Sequence, residues 1–324
     1  MKSYIGRSVF PPIQNKCKIH YHQRIYTAGS CFAQEISSRL EICKINNIRH
    51  PFGIVFNPMS FASQIEKLMD AHIYHVEDLI ERDGLFHSLD HHGSYSKSDG
   101  ILMLDEINNG IQTSRVQLAQ AAYMIITLGS AHYYLHKGKN QIAANCHKIP
   151  PSEFIKERAG TDQIIFALTG AFQKIKVFNP DIKIILTVSP VRYLRDGFEE
   201  NSCSKAILLL SCDELSRNLE NVDYFPSYEI FMDDLRDYRY VKEDLIHPTE
   251  AAVDYIWTYF TEAYFDAETL EYIKRLEAYH HLLNHRILHP DSSNFRNHLL
   301  KLDAFRSMLE KDYPELGDRL IVKG

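Results

Sequence analysis

Ile25-Tyr26-Thr27-Ala28-Gly29-Ser30-Cys31-Phe32-Ala33 is a short apolar run that ends on a glycine and a serine and then turns helical. Phe32, Ile36 and Leu40 recur at helical spacing after the turn, with Glu35 early in the helix, so the stretch reads as strand, tight turn, helix. The same grammar returns twice downstream. Ala122 to Leu128 is a continuous apolar run ending on Gly129-Ser130, and Ile182 to Val188 is another ending on Ser189-Pro190. Unbroken apolarity of that kind marks interior parallel strands covered on both faces. Helical stretches over residues 101–121 and 203–219, a last strand segment at Asp223 to Phe225, and a final helix capped by Thr249 with Ala252, Ile256 and Phe260 complete the alternation. Strands and helices alternating from 24 to 264 imply a parallel sheet between helical layers, with ligand chemistry at the carboxyl ends of its strands.

Around this frame the sequence is more irregular. Residues 1–22, with Pro11-Pro12, read as an arm over the core. His50 to Pro58 reads as a punctuated loop, followed by a helix that Ser60 can cap and that carries Phe61, Ile65 and Leu68. Leu85 to Gly100 reads as a long polar loop with His87, His91 and His92. Tyr133 to Leu135 and Gln141 to Ala143 flank Lys137-Gly138-Lys139-Asn140 as a small hairpin, and Pro151 to Phe178 reads as mainly helical up to Asn179-Pro180. Beyond Asp266 the pattern is purely helical. One stripe is Tyr272, Ile273, Leu276, Tyr279 and Leu283, another is Phe295, Leu299, Leu302, Phe305 and Leu309, and Pro290 divides them. This divides the chain into an α/β unit over 1–265 and a helical extension over 266–324, which covers the core or mediates homo-oligomer assembly.

Composition narrows the function classes. The 324 residues are 45% hydrophobic, enough for a large core and against a disordered chain. Lys plus Arg total 36 against 42 Asp plus Glu, a net charge of -6 with no basic block, so the footprint of a nucleic-acid binder is missing. No apolar run approaches the roughly 18 residues of a membrane span, and the start, with Lys2 and Arg7, has no apolar signal core, so the expectation is a cytoplasmic protein. The six cysteines are dispersed without a CxxC pair, as suits free thiols, and the 17 histidines show no HExxH or Cys/His quartet. No metal or organic cofactor is expected.

A serine hydroxyl attacks a carbonyl only if a base removes its proton, and histidine, with an unperturbed pKa of about 6.5, serves at neutral pH. Asp244-Leu245-Ile246-His247 supplies base and orienter: at this spacing the aspartate reaches Nδ1 while Nε2 is left for Ser30. The alternative for Ser30 is an ordinary helix cap. Cys31 competes as nucleophile, since helix amino-termini depress thiol pKa values, but adjacent residues leaving a strand point in different directions. The strand-end pattern favours Ser30.

Gly29-Ser30-Cys31-Phe32-Ala33 resembles the signature of the GSCFA domain family, which is related to SGNH or GDSL-type hydrolases. The resemblance runs through Pro51-Phe52-Gly53 with Asn57-Pro58, Thr127-Leu128-Gly129, Ala144-Asn145-Cys146-His147-Lys148, Val188-Ser189-Pro190-Val191-Arg192, Phe225 to Ile230 and Asp244 to Pro248. It implies a three-layer α/β/α, flavodoxin-like fold and a serine esterase or acyltransferase with the triad Ser30, His247 and Asp244. It also implies an oxyanion hole from a glycine after the second strand, here Gly53, and a Gly-x-Asn segment after the third. That segment reads Gly129-Ser130-Ala131, with alanine in place of the asparagine, and losing such a donor costs roughly 3 to 4 kcal/mol. Asn145 is the candidate replacement; its alternative is a turn asparagine bonding its own backbone. His147 and Arg192 are further candidates for substrate contact; Lys205 is another cation that can meet an anionic substrate, with a structural role as the preferred reading. The expected partner is a small-molecule or carbohydrate acyl ester. The alternative function is a non-catalytic binding module or scaffold on the same fold.

Overall fold

The computed structural model describes residues 8–15, 17–284, 293–314 and 316. In chain order its elements are β1 (Arg24–Gly29), α1 (Cys31–Ile42), β2 (Asn47–Ile54), α2 (Pro58–Met69), β3 (Ile80–Arg82), β4 (Leu85–His87), α3 (Gly100–Leu118), β5 (Ala121–Leu128), β6 (His132–His136), β7 (Gln141–Ala143), β8 (Phe154–Arg158), α4 (Thr161–Phe178), β9 (Lys183–Val188), α5 (Phe198–Asn218), β10 (Val222–Tyr224), the single turn α6 (Ser227–Glu229), α7 (Glu250–Tyr264), α8 (Ala267–Leu283) and α9 (Ser293–Asp312).

The central sheet has the order β10-β9-β5-β1-β2, and every pairing in it is parallel. Read from β2, its five strands follow the flavodoxin-like order 2-1-3-4-5. The order reverses between β1 and β5, where an open α/β sheet leaves a crevice for ligand.

Side chains alternate across the sheet with period two, and each face builds its own core. Tyr26 and Ala28, Met124 and Ile126, and Ile184 and Leu186 point to the face covered by α2, α3, α4 and α5. Ile25, Tyr123, Ile125 and Ile185 point to the other face, where α1, α7 and α8 supply Phe32, Ile36, Ile256, Phe260, Tyr272 and Leu276. This is the three-layer α/β/α sandwich expected. Both tail helices reach the second core: Tyr279 of α8 and Leu309 of α9 are buried in it. The end of the arm, residues 17–22, lies along the same side, with Ile19 bridging to Phe265 and the Tyr21 ring stacked at 4.4 Å on Tyr272. No helix among the described residues is long and apolar enough to cross a membrane. Lys2, Arg7 and the dividing Pro290 lie outside the described residues.

Four local expectations are corrected. His50-Pro51-Phe52-Gly53 belongs to the strand β2, because β2 is an edge strand and an edge tolerates a proline that lacks a ladder donor. The cap of α2 is Asn57, whose side chain accepts the Ser60 N–H at 2.7 Å with Pro58 in the first turn. Leu85–His87 pairs with Ile80–Arg82, so the segment read as a polar loop begins as a hairpin arm. Phe154 to Arg158 is a strand pairing with β6, and the helix starts only at Thr161 after Gly160.

Candidate active site

Ser30 stands where β1 becomes α1, at the point where the sheet order reverses. The turn is tight because Gly29 has φ +124° and a Cβ there would collide with the Thr127 backbone of β5. The Ser30 N–H donates to the Thr127 carbonyl at 3.0 Å. The serine has the extended conformation of a helix cap, yet its side chain makes no cap bond. Its hydroxyl is buried and has no hydrogen-bond partner at all. A buried hydroxyl left so costs stability, roughly 1–3 kcal/mol, and calls for an explanation other than capping.

The surroundings account for its burial. The Val55 N–H donates to the Gly29 carbonyl at 2.9 Å, and the Phe56 carbonyl accepts both the Gly129 N–H at 2.8 Å and the Ser130 N–H at 2.9 Å. The segment after β2 therefore crosses the carboxyl end of β1 to reach the end of β5. Gly129 packs close, since a Cβ on it would lie 3.2 Å from the Ser30 Cβ and 3.1 Å from the Phe56 carbonyl. The amide of Gly129, expected to face an oxyanion, is engaged by this internal carbonyl.

His247 and Asp244, the expected base and orienter, form a local unit. His247 Nδ1 lies 2.7 Å from Asp244 Oδ2, while Asp244 Oδ1 accepts the N–H groups of Ile246 and His247 at 2.8 and 2.9 Å. Those hydrogen bonds hold the Asp244 carboxyl well down, at about 2. Leu245 takes a left-handed φ of +60° to close the loop. Arg192 supports it from outside, with Nη2 donating to the Leu245 carbonyl at 2.9 Å and its N–H to the Ile246 carbonyl at 3.4 Å. The structure joins Asp244 to His247 but does not join His247 to Ser30, whose hydroxyl is unpaired.

A hollow of 310 Å³ opens beside the nucleophile turn, lined by Gly29, Ala33, Gln34, Gly53, Ser94 and Tyr95 among others. Gly53, at φ +78°, lets the 91–95 segment approach, for a Cβ there would lie 2.7 Å from the His92 Cβ. Asn145 uses Oδ1 to accept the His147 N–H at 3.0 Å, the turn role open to it, and its amide nitrogen lies 3.9 Å from the place of a Gly93 Cβ. His147 Nε2 donates to the Ser88 carbonyl at 2.7 Å, and burial pushes its imidazole down to about 4. His147 and Arg192 thus support loops through protein carbonyls.

Two other histidines of this region, His50 and His91, are packed inside the protein, the Nε2 of His91 without a hydrogen-bond partner. His50 is buried between the Tyr26 hydroxyl at 2.8 Å and Gln64 Oε1 at 3.0 Å. His91 is enclosed by the rings of Phe52, Tyr74 and Tyr95, with Nδ1 on Ser88 Oγ at 2.9 Å. Burial keeps both neutral, pushed down to about 4 and about 3. Among the described residues no group of three His, Cys, Asp or Glu side chains converges on a metal-sized site. Burial raises the Cys31 thiol, the opposite of what a cysteine nucleophile needs.

Two features were missed in the sequence. The Phe56 carbonyl is a backbone group with no side-chain signature. Lys205 follows its structural rather than its substrate reading, but its partners carry no sequence signal: it is fully buried, with Nζ on the carbonyls of Gly129 at 2.8 Å and Ser189 at 2.7 Å.

The family model described as the GSCFA family matches residues 24–260. No curated protein matches the chain. Among solved structures it is similar to a carbohydrate esterase family 3 protein from Talaromyces cellulolyticus, at 8% identity and a TM-score of 0.38, over 79% of this chain and 99% of that one. It is also similar to Est2A, an acetyl xylan esterase from the rumen bacterium Butyrivibrio proteoclasticus, at 10% identity and a TM-score of 0.33, over 64% of this chain and 56% of that one. Likenesses this distant carry nothing about chemistry.

Proposed function

The chain belongs to the GSCFA family, and on that premise we propose that it is a serine esterase or acyltransferase that acts on acyl esters through a covalent acyl-Ser30 intermediate. The observation that carries the reading is the Ser30 hydroxyl itself: buried, in a helix-cap position, and bonded to nothing. The oxygen of a cap serine would accept a helix N–H; this one is held in reserve.

In the reaction Ser30 Oγ attacks the acyl carbonyl as its proton passes to His247 Nε2, and the imidazolium that forms is stabilised by Asp244 at Nδ1. The first turn of α1 has no side-chain cap, and although the Ala33 N–H is taken by the Ser30 carbonyl at 2.8 Å, the Cys31 and Phe32 N–H groups and the positive end of the dipole are what we assign to the tetrahedral oxyanion. Gly53 and the amide nitrogen of Asn145 are the further donors we assign to it, with Gly129 as their neighbour across β1. Collapse expels the alcohol with the proton from His247. Water, or a second alcohol in a transferase, then attacks the acyl-Ser30 carbonyl with the same histidine as base. The hydrogen bond between Ser30 and His247 is one that closes in the substrate complex, as catalytic hydrogen bonds commonly do.

A fluorophosphonate probe tests this. Wild-type protein is expected to label covalently near neutral pH, with all labelling lost in Ser30→Ala and retained in Cys31→Ala. Folded wild type that stays unlabelled from pH 6 to 9 sinks the enzyme. The closed state of Ser30 would then favour the second reading, a binding module that keeps the hydrolase fold.

A further inference from the structure

Lys205 is a buried cation without a buried anion. It projects from α5, is 1% exposed, and pairs with no carboxylate among the described residues; besides the two carbonyls it lies 5.6 Å from the Tyr228 ring centroid. Burial alone pushes its ammonium down to about 7. A charge in such a place works against folding, and a well-packed apolar replacement is often neutral or stabilising. Its two partners explain why it is there. The Gly129 residue it holds lies against the Ser30 Cβ. Ser189, the other, begins the Ser189-Pro190-Val191-Arg192 segment, whose arginine holds the Leu245 and Ile246 carbonyls of the His247 loop. The preceding residue on α5 adds to the first branch, for Ser204 Oγ accepts the Ala131 N–H at 2.7 Å.

We propose that Lys205 is a positioning residue of the active site: by tying the ends of β5 and β9 to one ammonium it sets the spacing between the branch that carries Ser30 and the branch that carries His247. This rests on the reading of Ser30 as nucleophile. The neutral amine keeps two N–H donors, so both carbonyls stay bonded on either side of its titration.

Lys205→Met in the full chain is the test, with three measurements: melting temperature at pH 7, amide hydrogen exchange at Gly129 and Ser130, and the fluorophosphonate reaction resolved into maximal rate and half-saturating probe concentration. The expected result is melting within a few degrees of wild type, exchange at those two amides at least tenfold faster, and a maximal rate at least tenfold lower at unchanged half-saturation. Unchanged labelling in a folded variant overturns the proposal, and so does a parallel collapse of melting and labelling, which would make Lys205 merely structural. If wild type does not label, the hydrolase reading falls by itself, and exchange alone decides whether Lys205 organises the strand ends; unchanged exchange overturns it. If Lys205→Met does not fold, Lys205→Gln is measured against the same outcomes.

Discussion

The two halves of the site are built on opposite terms. The Ser30 turn is buried, its geometry imposed by backbone: Gly29 is forced against β5, the serine amide is bonded to Thr127, and Phe56 crosses overhead. The His247 loop is half exposed and held by a few bonds at its rim, the Asp244 carboxylate accepting its own two downstream amides and Arg192 donating to two carbonyls from elsewhere in the chain. The Ser30 side is therefore part of the folding problem, whereas the His247 side is an attachment that the fold positions. Substitutions in the first region should register in stability, and substitutions in the second in turnover.

The largest expected effect on folding is Gly29→Ala. The new methyl meets the Thr127 backbone, which cannot yield without breaking the β1–β5 ladder, and φ +124° is strained for alanine. A loss of about 4 kcal/mol or more in urea unfolding is expected. A loss below about 1 kcal/mol would show that the turn is not over-determined, and the contrast between the two regions would fail.

Acid distinguishes the regions next. His50, bonded to Tyr26 of β1, and the enclosed His91 are neutral in the fold, with folded pKa values of about 4 and about 3 against an unfolded value near 6.5. The unfolded chain takes up their protons first, so stability is whole above pH 6.5 and is lost as pH falls toward 4 and then 3. At pH 5.5 the two together should remove about 2 to 3 kcal/mol, read from urea unfolding across pH. The Asp244 carboxyl is depressed to about 2, so its contribution holds above pH 4 and is lost only toward pH 2. A stability curve flat from pH 7 to 5 would mean that the histidines are not buried neutral.

The smallest effect on folding is expected for Asp244→Asn. Asparagine keeps an acceptor for the Ile246 and His247 amides, so melting should shift by no more than a few degrees. The loss of charge at Nδ1 misorients the imidazole, and the rate with a cleavable ester should fall by about 10³-fold or more. A variant that keeps its rate would remove His247 from the mechanism; one that unfolds would show that the exposed loop carries structural weight after all.

Much of the frame could be read from residue pattern because its causes are local. The apolar runs that end on Gly29-Ser30, Gly129-Ser130 and Ser189-Pro190 are β1, β5 and β9, and the Phe32, Ile36 and Leu40 stripe of α1 is buried as its spacing implies. The Asp244–His247 pair was equally visible, since three residues of separation are enough to close it. Other features escaped for definite reasons. Pro51 disguised β2, because whether a proline breaks a strand depends on whether that strand has a neighbour on its donor side. Phe154 to Arg158 has only one buried residue and pairs with a hairpin 20 residues upstream, so its strand character comes from β6 and not from its own alternation.

What the sequence determined by itself is the set of chemically equipped strand ends, because glycine, serine and the Asp-x-x-His spacing act through bonds a few residues long. What only the tertiary structure decided is how those ends are used. The Ser30 hydroxyl is left without a partner, the Gly129 amide is given to Phe56, and Lys205 is buried against the carbonyls at the ends of β5 and β9. Each of these depends on which strands lie side by side, and strand order is set by pairing among residues roughly twenty to a hundred positions apart, beyond the reach of any local pattern.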